Sequence, residues 1–249
     1  MRLAGKTALV TGAGSGFGAG IAARFVAEGA PVWVADRDGA AAERVAASLG
    51  AQARPFAADV SQADDVRAMV EAACGGAGGC LDILVNNAGV GHLPQPLETL
   101  PEDQFDRLLA VNVKALYLAA REVVPRFKAA GRGVMLNIAS TGGVSPRPNL
   151  AWYNASKGFV ITATRAMAVE LAPFGIRVVA LNPVAGETPL LKTFMGGDTA
   201  EARARFLATI PLGRFSTPED IGHAACFLCS DEASMITGVA MEVDGGRCI

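Results

Sequence analysis

The chain has 249 residues, of which 51% are hydrophobic and only 18% are charged, and its formal net charge is −2. This balance excludes an intrinsically disordered chain, which combines low hydrophobicity with high net charge. The sequence contains no run of lysine and arginine, so we expect neither a nucleic acid nor a membrane surface as a partner. The length suits a single α/β domain over residues 1–249.

The longest uncharged stretch near the start is Thr7–Ala23, which has the outward look of a signal peptide or a membrane span. It contains glycines at positions 12, 14, 16, 18 and 20, and glycine at this density makes a poor apolar helix. The stretch is also shorter than a typical membrane span. We therefore expect a cytoplasmic protein without a targeting segment.

Short β-branched runs alternate with alanine-rich helical stretches along the chain. The predicted strands are Thr7–Thr11, Val32–Ala35, Ala53–Ala58, Leu81–Val85, Gly133–Ala139, Arg177–Leu181 and Ala240–Val243. The predicted helices are Gly16–Glu28, Gly39–Leu49, Gln62–Ala73, Glu102–Ala130, Tyr153–Leu171 and Pro218–Cys229. Alternation of this kind indicates βαβ units, and continuous apolar strands indicate burial on both faces. The pattern predicts a doubly wound, seven-stranded parallel sheet with helices on both faces.

Two segments fall outside this alternation. Gly75–Gly79 is predicted to be a flexible loop, and Gly186–Thr199 a mobile segment. We expect a lid over a binding site at approximately residues 186–210, because mobile segments of this kind commonly close over such sites.

The five cysteines are scattered, and their odd number does not suit a disulfide framework. Cys226 and Cys229 have redox-motif spacing, but they lie inside an apolar helical run, which favours buried structural thiols over a reactive pair. His92 and His223 match no zinc spacing, so we expect no metal site.

A glycine-rich segment joins the first predicted strand to the first helix. It contains Gly12, Ser15, Gly16, Phe17 and Gly18. Glycines in this context let the backbone turn tightly and approach a pyrophosphate, which then lies at the helix N-terminus. The alternative interpretation is a tight turn without a ligand.

Asp36 follows the second strand, where a carboxylate accepts hydrogen bonds from a ribose diol and repels a 2′-phosphate. Arg37 beside it is compatible with a 2′-phosphate, but Ser15 stands where a basic residue for that phosphate would be useful. We therefore expect NAD rather than NADP as the cofactor.

Further motifs follow along the chain in a characteristic order. They are Thr11-Gly12-x-x-x-Gly16-x-Gly18, Asp59-Val60, Asn86-Asn87-Ala88-Gly89, Asn112, Ser140, Tyr153-x-x-x-Lys157, Asn182-Pro183 and Thr188. With these motifs the chain strongly resembles the short, single-domain branch of the short-chain dehydrogenase/reductase family, over Lys6–Gly246. The resemblance implies a Rossmann-type fold, a nicotinamide cofactor and a homotetramer.

The resemblance also implies cofactor contacts. Asp59 would bind the adenine amino group with Val60 beside the ring, and Thr188 would hold the nicotinamide carboxamide. Further residues implied in the cofactor site are Asn87, Ala88, Gly89, Tyr153, Lys157 and Pro183. The chain departs from the family pattern at Phe17, where Ile or Val is usual, at Val184, where Gly is usual, and at Gly186, where an aliphatic residue is usual.

Tyr153, Lys157, Ser140 and Asn112 are the predicted catalytic residues. A phenol can move the hydroxyl proton during hydride transfer, but its ordinary pKa of about 10 is too high for a base at neutral pH. Lys157 lies one helical turn after Tyr153, and its cation would lower that pKa together with oxidised nicotinamide. Ser140 would polarise the substrate oxygen, and Asn112 would join a water relay behind Lys157.

We expect an NAD(H)-dependent enzyme that interconverts a secondary alcohol and a ketone. Alternatives within the family are a 3-oxoacyl thioester reductase and a sugar or polyol dehydrogenase. A non-catalytic dinucleotide sensor or scaffold is a further alternative, although a binder does not need a proton relay. Arg147 is either a contact for an acidic substrate or a solvated loop residue. An apolar cleft wall is suggested by Leu93, Pro94, Leu190, Leu191, Phe194 and Met195.

Overall fold

The computed structural model describes residues 1–75 and 81–249. Within them, parallel strands form one sheet: β1 (Ala8–Thr11), β2 (Val32–Asp36), β3 (Ala53–Ala57), β4 (Ile83–Asn86), β5 (Gly133–Ile138), β6 (Ile176–Pro183) and β7 (Ala240–Val243). The strand order in the sheet is β3-β2-β1-β4-β5-β6-β7. The predicted doubly wound, seven-stranded parallel sheet is confirmed.

Helices cover both faces of the sheet: α1 (Gly16–Ala27), α2 (Gly39–Leu49), α3 (Ala63–Gly75), α4 (Glu102–Leu109), α5 (Ala115–Ala130), α6 (Ala151–Leu171), α7 (Pro189–Met195), α8 (Ala200–Leu207) and α9 (Pro218–Cys229). Because successive strand side chains point to opposite faces, Val10 of β1 packs into the core under α1, α2 and α9. Its neighbour Leu9 packs into the core under α3, α5 and α6. The apolar excess of the sequence fills these two layers.

The order of the strands reverses between β1 and β4, which pair in register at Ala8↔Ile83 and Val10↔Val85. The chain leaves β1 toward one face of the sheet and leaves β4 toward the other. Open α/β sheets bind ligands at the carboxyl ends of strands beside such a switch point. The topology therefore fixes where a site must be sought.

The predicted helix Glu102–Ala130 is interrupted. A π-helical turn, Ala110–Lys114, separates α4 from α5, and the buried Asn112 lies within it. Its amide exchanges two hydrogen bonds with the backbone of Val90, at 2.9 and 3.0 Å. Because these hydrogen bonds are tertiary contacts, the helical period of 3.6 residues in the sequence did not reveal the π-helical turn.

The two edge strands differ from the prediction of burial on both faces. Arg54 and Pro55 of β3 are exposed, and β7 has no fully buried residue. Each edge strand has one neighbour in the sheet, whereas β1 and β5 lie between two strands and are buried throughout.

The remaining expectations concern loops and thiols. Gly75 ends α3, and the rest of the predicted loop Gly75–Gly79 lies outside the described residues. Residues 186–210 contain α7 and α8.

Cys226 and Cys229 are free, fully buried thiols in α9, and burial raises the pKa of both. In the described part of the chain, no helix is long and apolar enough to cross a membrane.

Candidate active site

A cleft of about 810 Å³ lies at the carboxyl edge of the sheet. Most of the residues predicted to bind the cofactor or react line it: Gly12, Ser15, Gly16, Phe17, Asp36, Arg37, Asp59, Val60, Asn87, Ala88, Gly89, Ser140, Tyr153, Lys157, Pro183 and Thr188. Two predicted residues lie behind its wall, namely Gly18 and Asn112. The fold thus brings together residues that are up to 176 positions apart, from Gly12 to Thr188.

The glycine loop is shaped by backbone that other residues cannot follow. Gly12 and Gly16 have φ angles of +63° and +55°. A Cβ atom on Gly12 would lie 2.8 Å from Cα of Ala88, and a Cβ on Gly18 would lie 2.3 Å from the carbonyl oxygen of Gly12. Gly12 therefore forms the cleft floor, whereas Gly18 permits close packing of α1 against the loop.

Thr11 and Asn87 join this loop to the segment after β4. The Thr11 hydroxyl accepts hydrogen bonds from the backbone N–H groups of Asn87 and Ala88, both at 3.1 Å. The Asn87 side chain donates to the carbonyl oxygens of Thr11 and Gly12, at 2.8 and 3.1 Å. These bonds hold the two sides of the switch point in one rigid arrangement.

Asp36 ends β2 at the rim of the cleft. Its carboxylate accepts hydrogen bonds from the backbone N–H groups of Gly14 and Asp38, at 2.9 and 3.0 Å. The side chain that was predicted to meet a ribose therefore also fixes the glycine loop. Arg37, beside it, also lines the cleft.

Asp59 lies at the same end of the cleft with Val60 beside it. One carboxylate oxygen accepts hydrogen bonds from the backbone N–H and the hydroxyl of Ser61, at 2.9 and 2.7 Å. The backbone hydrogen bond from Ser61 is the main cause that lowers the pKa of Asp59, and Arg37 and Arg107 lower it further. Arg107 of α4 was not singled out in the sequence.

Tyr153 and Lys157 lie in the first turns of α6, and both are buried. The Lys157 Nζ donates a 2.8 Å hydrogen bond to the carbonyl oxygen of Ile138 and lies 5.9 Å from the centre of the Tyr153 ring. Burial lowers the pKa of Lys157 to about 8. Burial also raises the pKa of Tyr153 to about 12, with the Ser140 hydroxyl acting in the opposite direction.

Ser140 lies two residues beyond the end of β5 rather than at its last position. Its hydroxyl oxygen accepts a 3.0 Å hydrogen bond from the backbone N–H of Gly142 and thereby caps a short 3₁₀ turn, Thr141–Gly143. This bond directs the hydroxyl toward the cleft wall that Tyr153 shares.

Asn112 lies behind the end of the cleft that Tyr153 and Lys157 line. Its Nδ2 donates to the Ser156 hydroxyl at 3.0 Å, and that hydroxyl donates to the carbonyl oxygen of Tyr153 at 2.7 Å. Gly89, in the loop after β4, lies between Asn112 and Lys157. A Cβ atom on Gly89 would lie 3.4 Å from the Lys157 Nζ and 3.5 Å from the Asn112 Oδ1. The missing side chain at Gly89 leaves room where these polar groups converge.

The far side of the cleft is formed by α7 and the residues before it. Thr188 precedes α7. A Cβ atom added to Gly16 would lie 3.2 Å from the Cβ of Thr188, so Thr188 faces the start of α1. Phe194 of α7 packs its ring 4.7 Å, centre to centre, from that of Tyr153. Of the residues predicted for an apolar wall, Leu190, Leu191 and Phe194 line the cleft together with Leu150, whereas Leu93, Pro94 and Met195 do not.

The shape of the cleft fits a nicotinamide dinucleotide. Ser15 caps α1 without a side-chain hydrogen bond, so the N–H groups of the first helical turn face the glycine loop, as a pyrophosphate requires. The Asp36 carboxylate lies beside that loop. A Cβ atom on Gly14 would lie 2.8 Å from Cβ of Ala41 and 2.9 Å from Cγ of Asp36, so a larger residue there would displace the Asp36 side chain.

A family model described as enoyl-(acyl carrier protein) reductase matches residues 12–247. A 4-formylbenzenesulfonate dehydrogenase of Comamonas testosteroni is 49% identical, and the alignment covers 100% of both chains. A D-threitol dehydrogenase of Mycolicibacterium smegmatis is 38% identical over 100% of this chain and 95% of its own.

Among solved structures, a 3-ketoacyl-(acyl-carrier-protein) reductase from Brucella melitensis complexed with NADH is 56% identical. It superposes with a TM-score of 0.94 over 99% of this chain and 100% of that chain. These relatives are named for three different substrates, and each is named as a dehydrogenase or a reductase. The chain belongs to the short-chain dehydrogenase/reductase family and is an oxidoreductase that acts on CH–OH groups.

Proposed function

We propose that the protein is an NAD(H)-dependent dehydrogenase that interconverts a secondary alcohol and a ketone, with Tyr153 as the general acid and base. The observation that carries the proposal is the shared cleft. Ser140, Tyr153 and Lys157 line one end of it, and the Asp36 carboxylate lies at the other end beside the glycine loop.

The cofactor-binding residues follow from this arrangement. Asp36 would accept hydrogen bonds from the ribose hydroxyls and repel a 2′-phosphate, which favours NAD. The first turn of α1 would hold the pyrophosphate, and Thr188 the carboxamide. Asp59 retains one carboxylate oxygen that the Ser61 bonds do not use, and this oxygen would accept from the adenine amino group. A bound nicotinamide supplies the hydride acceptor or donor and, when oxidised, one positive charge.

We assign the proton transfer to side chains of the protein. The Tyr153 phenol would accept the alcohol proton during oxidation and return it to the carbonyl oxygen during reduction. Ser140 would donate a hydrogen bond to that oxygen as its negative charge develops. In the chain alone the pKa of Tyr153 is raised to about 12 by burial, so a phenolate requires added positive charge near the ring.

Lys157 is the residue of the chain that can supply part of this charge. Its pKa of about 8 keeps the amine mostly protonated at pH 7, and its hydrogen bond to Ile138 fixes it beside the ring. The other two N–H groups remain available to a ribose hydroxyl and to a water relay toward Asn112. The space that Gly89 leaves open is consistent with such a relay.

The function is tested by a turnover screen with NAD and NADP. The panel contains aryl and cyclic secondary alcohols, polyols, hydroxy acids and acyl thioesters, with their ketones in the reverse direction. We expect turnover of a secondary alcohol with a preference for NAD. A clear preference for NADP would overturn the role of Asp36, and NADH binding without any turnover would favour a dinucleotide sensor or scaffold.

Reduction of 3-oxoacyl thioesters is a second candidate, because the structural relative with 56% identity carries that name. Activity on polyols is a third, given the D-threitol dehydrogenase at 38% identity. The same screen separates the three, since only one substrate class should reach a high kcat/KM.

We also propose that the chain assembles as a homotetramer. Apolar side chains stand exposed on the outer helices, among them Tyr117 of α5 and Phe159 and Val169 of α6. Burial of such side chains between subunits stabilises an assembly. Light scattering of the purified protein should give about four times the 25.5 kDa chain mass.

A further inference from the structure

One cationic side chain in the cleft has no part in the chemistry described so far. Arg147 lies in the loop between the Thr141–Gly143 turn and α6, six residues before Tyr153, and lines the same cleft. Leu150, Phe194 and Phe206 line the cleft with it. The end of the cleft that should hold the substrate therefore combines an apolar wall with a half-buried cation.

The Arg147 guanidinium is held in place from several sides. It stacks on the ring of Phe206 at 4.2 Å, and its Nη2 donates a 2.9 Å hydrogen bond to the Thr209 hydroxyl. Its own carbonyl oxygen accepts a 2.8 Å hydrogen bond from the side chain of Asn154, the neighbour of Tyr153. Prolines on both sides, at 146 and 148, restrict the backbone. The side chain is thus oriented before any ligand arrives.

The charge of Arg147 is unbalanced within the part of the chain that the structure describes. In the described ranges, residues 1–75 and 81–249, no carboxylate forms an ion pair with it. Burial is the main cause that lowers its pKa, and the neighbouring cation Arg247 lowers it further. By contrast, Arg203 of α8 pairs with two carboxylates, those of Glu187 and Asp198. A half-buried guanidinium that no carboxylate of the described residues balances is suited to bind an anionic ligand.

We propose that Arg147 binds an anionic group of the substrate, a carboxylate or a sulfonate, while the reacting carbon lies at Tyr153. The planar guanidinium offers paired N–H donors that match the oxygens of such a group. The apolar wall of Leu150, Phe194 and Phe206 fits an aromatic or aliphatic spacer between the two ends. This inference rests on the proposed function, because it takes Tyr153 as the reactive end.

The test compares secondary alcohols that share one reacting group and differ in the substituent para to it, which is hydrogen, a carboxylate or a sulfonate. The substrates are 1-phenylethanol, 4-(1-hydroxyethyl)benzoate and 4-(1-hydroxyethyl)benzenesulfonate, each oxidised with NAD by the full chain. The variants are Arg147→Gln and Arg147→Lys, and the control is Arg205→Gln. Arg205 is exposed on the same helix as Phe206 and does not line the cleft. The readout is the ratio of kcat/KM for each anionic alcohol to that for the neutral one.

We expect Arg147→Gln to lower this ratio on the order of 10- to 100-fold, mainly through KM, because a charge-assisted hydrogen bond is lost. Arg147→Lys should recover part of it, and Arg205→Gln should leave it unchanged. The anionic alcohol whose kcat/KM ratio falls more in Arg147→Gln shows whether Arg147 recognises a carboxylate or a sulfonate. An unchanged ratio for both anions in Arg147→Gln would overturn the proposal.

Failure of the proposed function has a different signature, namely no oxidation of any of the three alcohols by the unaltered enzyme. In that case Arg147 is tested by calorimetric titration of benzoate and benzenesulfonate into the enzyme with NADH. Binding that is lost in Arg147→Gln supports the anion site. Equal binding by both proteins, or no binding by either, overturns it.

Discussion

Phe17 and Gly186 share one space at the start of α1. A Cβ atom on Gly186 would lie 2.3 Å from Cζ of the Phe17 ring and 2.7 Å from the Ser216 hydroxyl oxygen. Both residues depart from the pattern that the family resemblance implies, and the contact explains why they depart together. A large ring at position 17 fills the volume that an aliphatic side chain at position 186 would otherwise occupy. The pair connects the glycine loop to the segment that carries Thr188.

Substitution of Gly186 by valine should therefore be harmful only while Phe17 is present. We expect Gly186→Val to lower the free energy of unfolding by about 1–3 kcal/mol and to weaken NADH binding, because overpacking displaces the loop. The double variant Phe17→Val with Gly186→Val should recover most of both losses. Chemical denaturation and fluorescence titration with NADH measure the coupling in a double-mutant cycle. Additive losses in the double variant would show that the two side chains do not share the space.

The architecture was predictable because its signals are local and repeated. Apolar strands and alanine-rich helices alternate with a clear period, and glycine marks the first turn. The π-helical turn around Asn112 was not predictable, because its cause is a pair of hydrogen bonds to Val90, which is distant in sequence. The exposure of β3 and β7 follows from strand order, which no single strand encodes.

Residue type and motif order predicted residues that the fold places in one cleft, and their roles there stay predictions. Tyr153, Lys157 and Ser140 line one cleft as expected. Arg107 was missed because an arginine on an amphipathic helix has no local pattern that distinguishes a cleft wall from a solvated face. The hydrogen bond from Ser156 to the Tyr153 backbone was also missed, because no local pattern distinguishes this serine from other helical serines. The raised pKa of Tyr153 depends on burial, which the spacing of two residues does not report.

Cofactor preference should respond to the charge of Asp36. We expect Asp36→Asn to raise the ratio of kcat/KM with NADP to that with NAD by about 10-fold or more, because repulsion of the 2′-phosphate is removed. Asp38→Asn is the matched control, since Asp38 caps α2 and does not line the main cleft. Steady-state kinetics with both cofactors give the ratio. An equal change in the two variants would assign the effect to general surface charge rather than to the Asp36 site.

Loss of the Tyr153 hydroxyl should separate chemistry from binding. Tyr153→Phe removes the proton donor and acceptor and keeps the ring that packs against Phe194, so kcat should fall by about 100-fold or more. The dissociation constant of NADH should stay within a few-fold. Tyr117, the other tyrosine of the chain, is exposed on α5, and Tyr117→Phe serves as the control. Turnover in Tyr153→Phe within a few-fold of the unaltered enzyme would exclude this residue as the base.

The burial of Lys157 should be visible in the stability of the cofactor-free protein. Its pKa is about 8 in the folded chain and about 10.5 when unfolded. Between these values the unfolded amine binds a proton that the folded amine does not, so this group makes the free energy of unfolding rise with pH. Below pH 8 both states are protonated, and the folded protein bears the full cost of burying the charge.

Lys157→Met lacks this titration. We expect the stability of the unaltered protein, relative to the variant, to rise from pH 8 to pH 10 by up to about 1.4 kcal/mol per pH unit. Urea denaturation at several pH values measures the difference, and Lys114→Met provides an exposed control that should show no such trend. The window ends at pH 10 because Tyr153, whose pKa is raised, acts in the opposite direction above it. A pH-independent difference would mean that Lys157 is hydrated in the folded protein and that its contact with Ile138 does not exclude water.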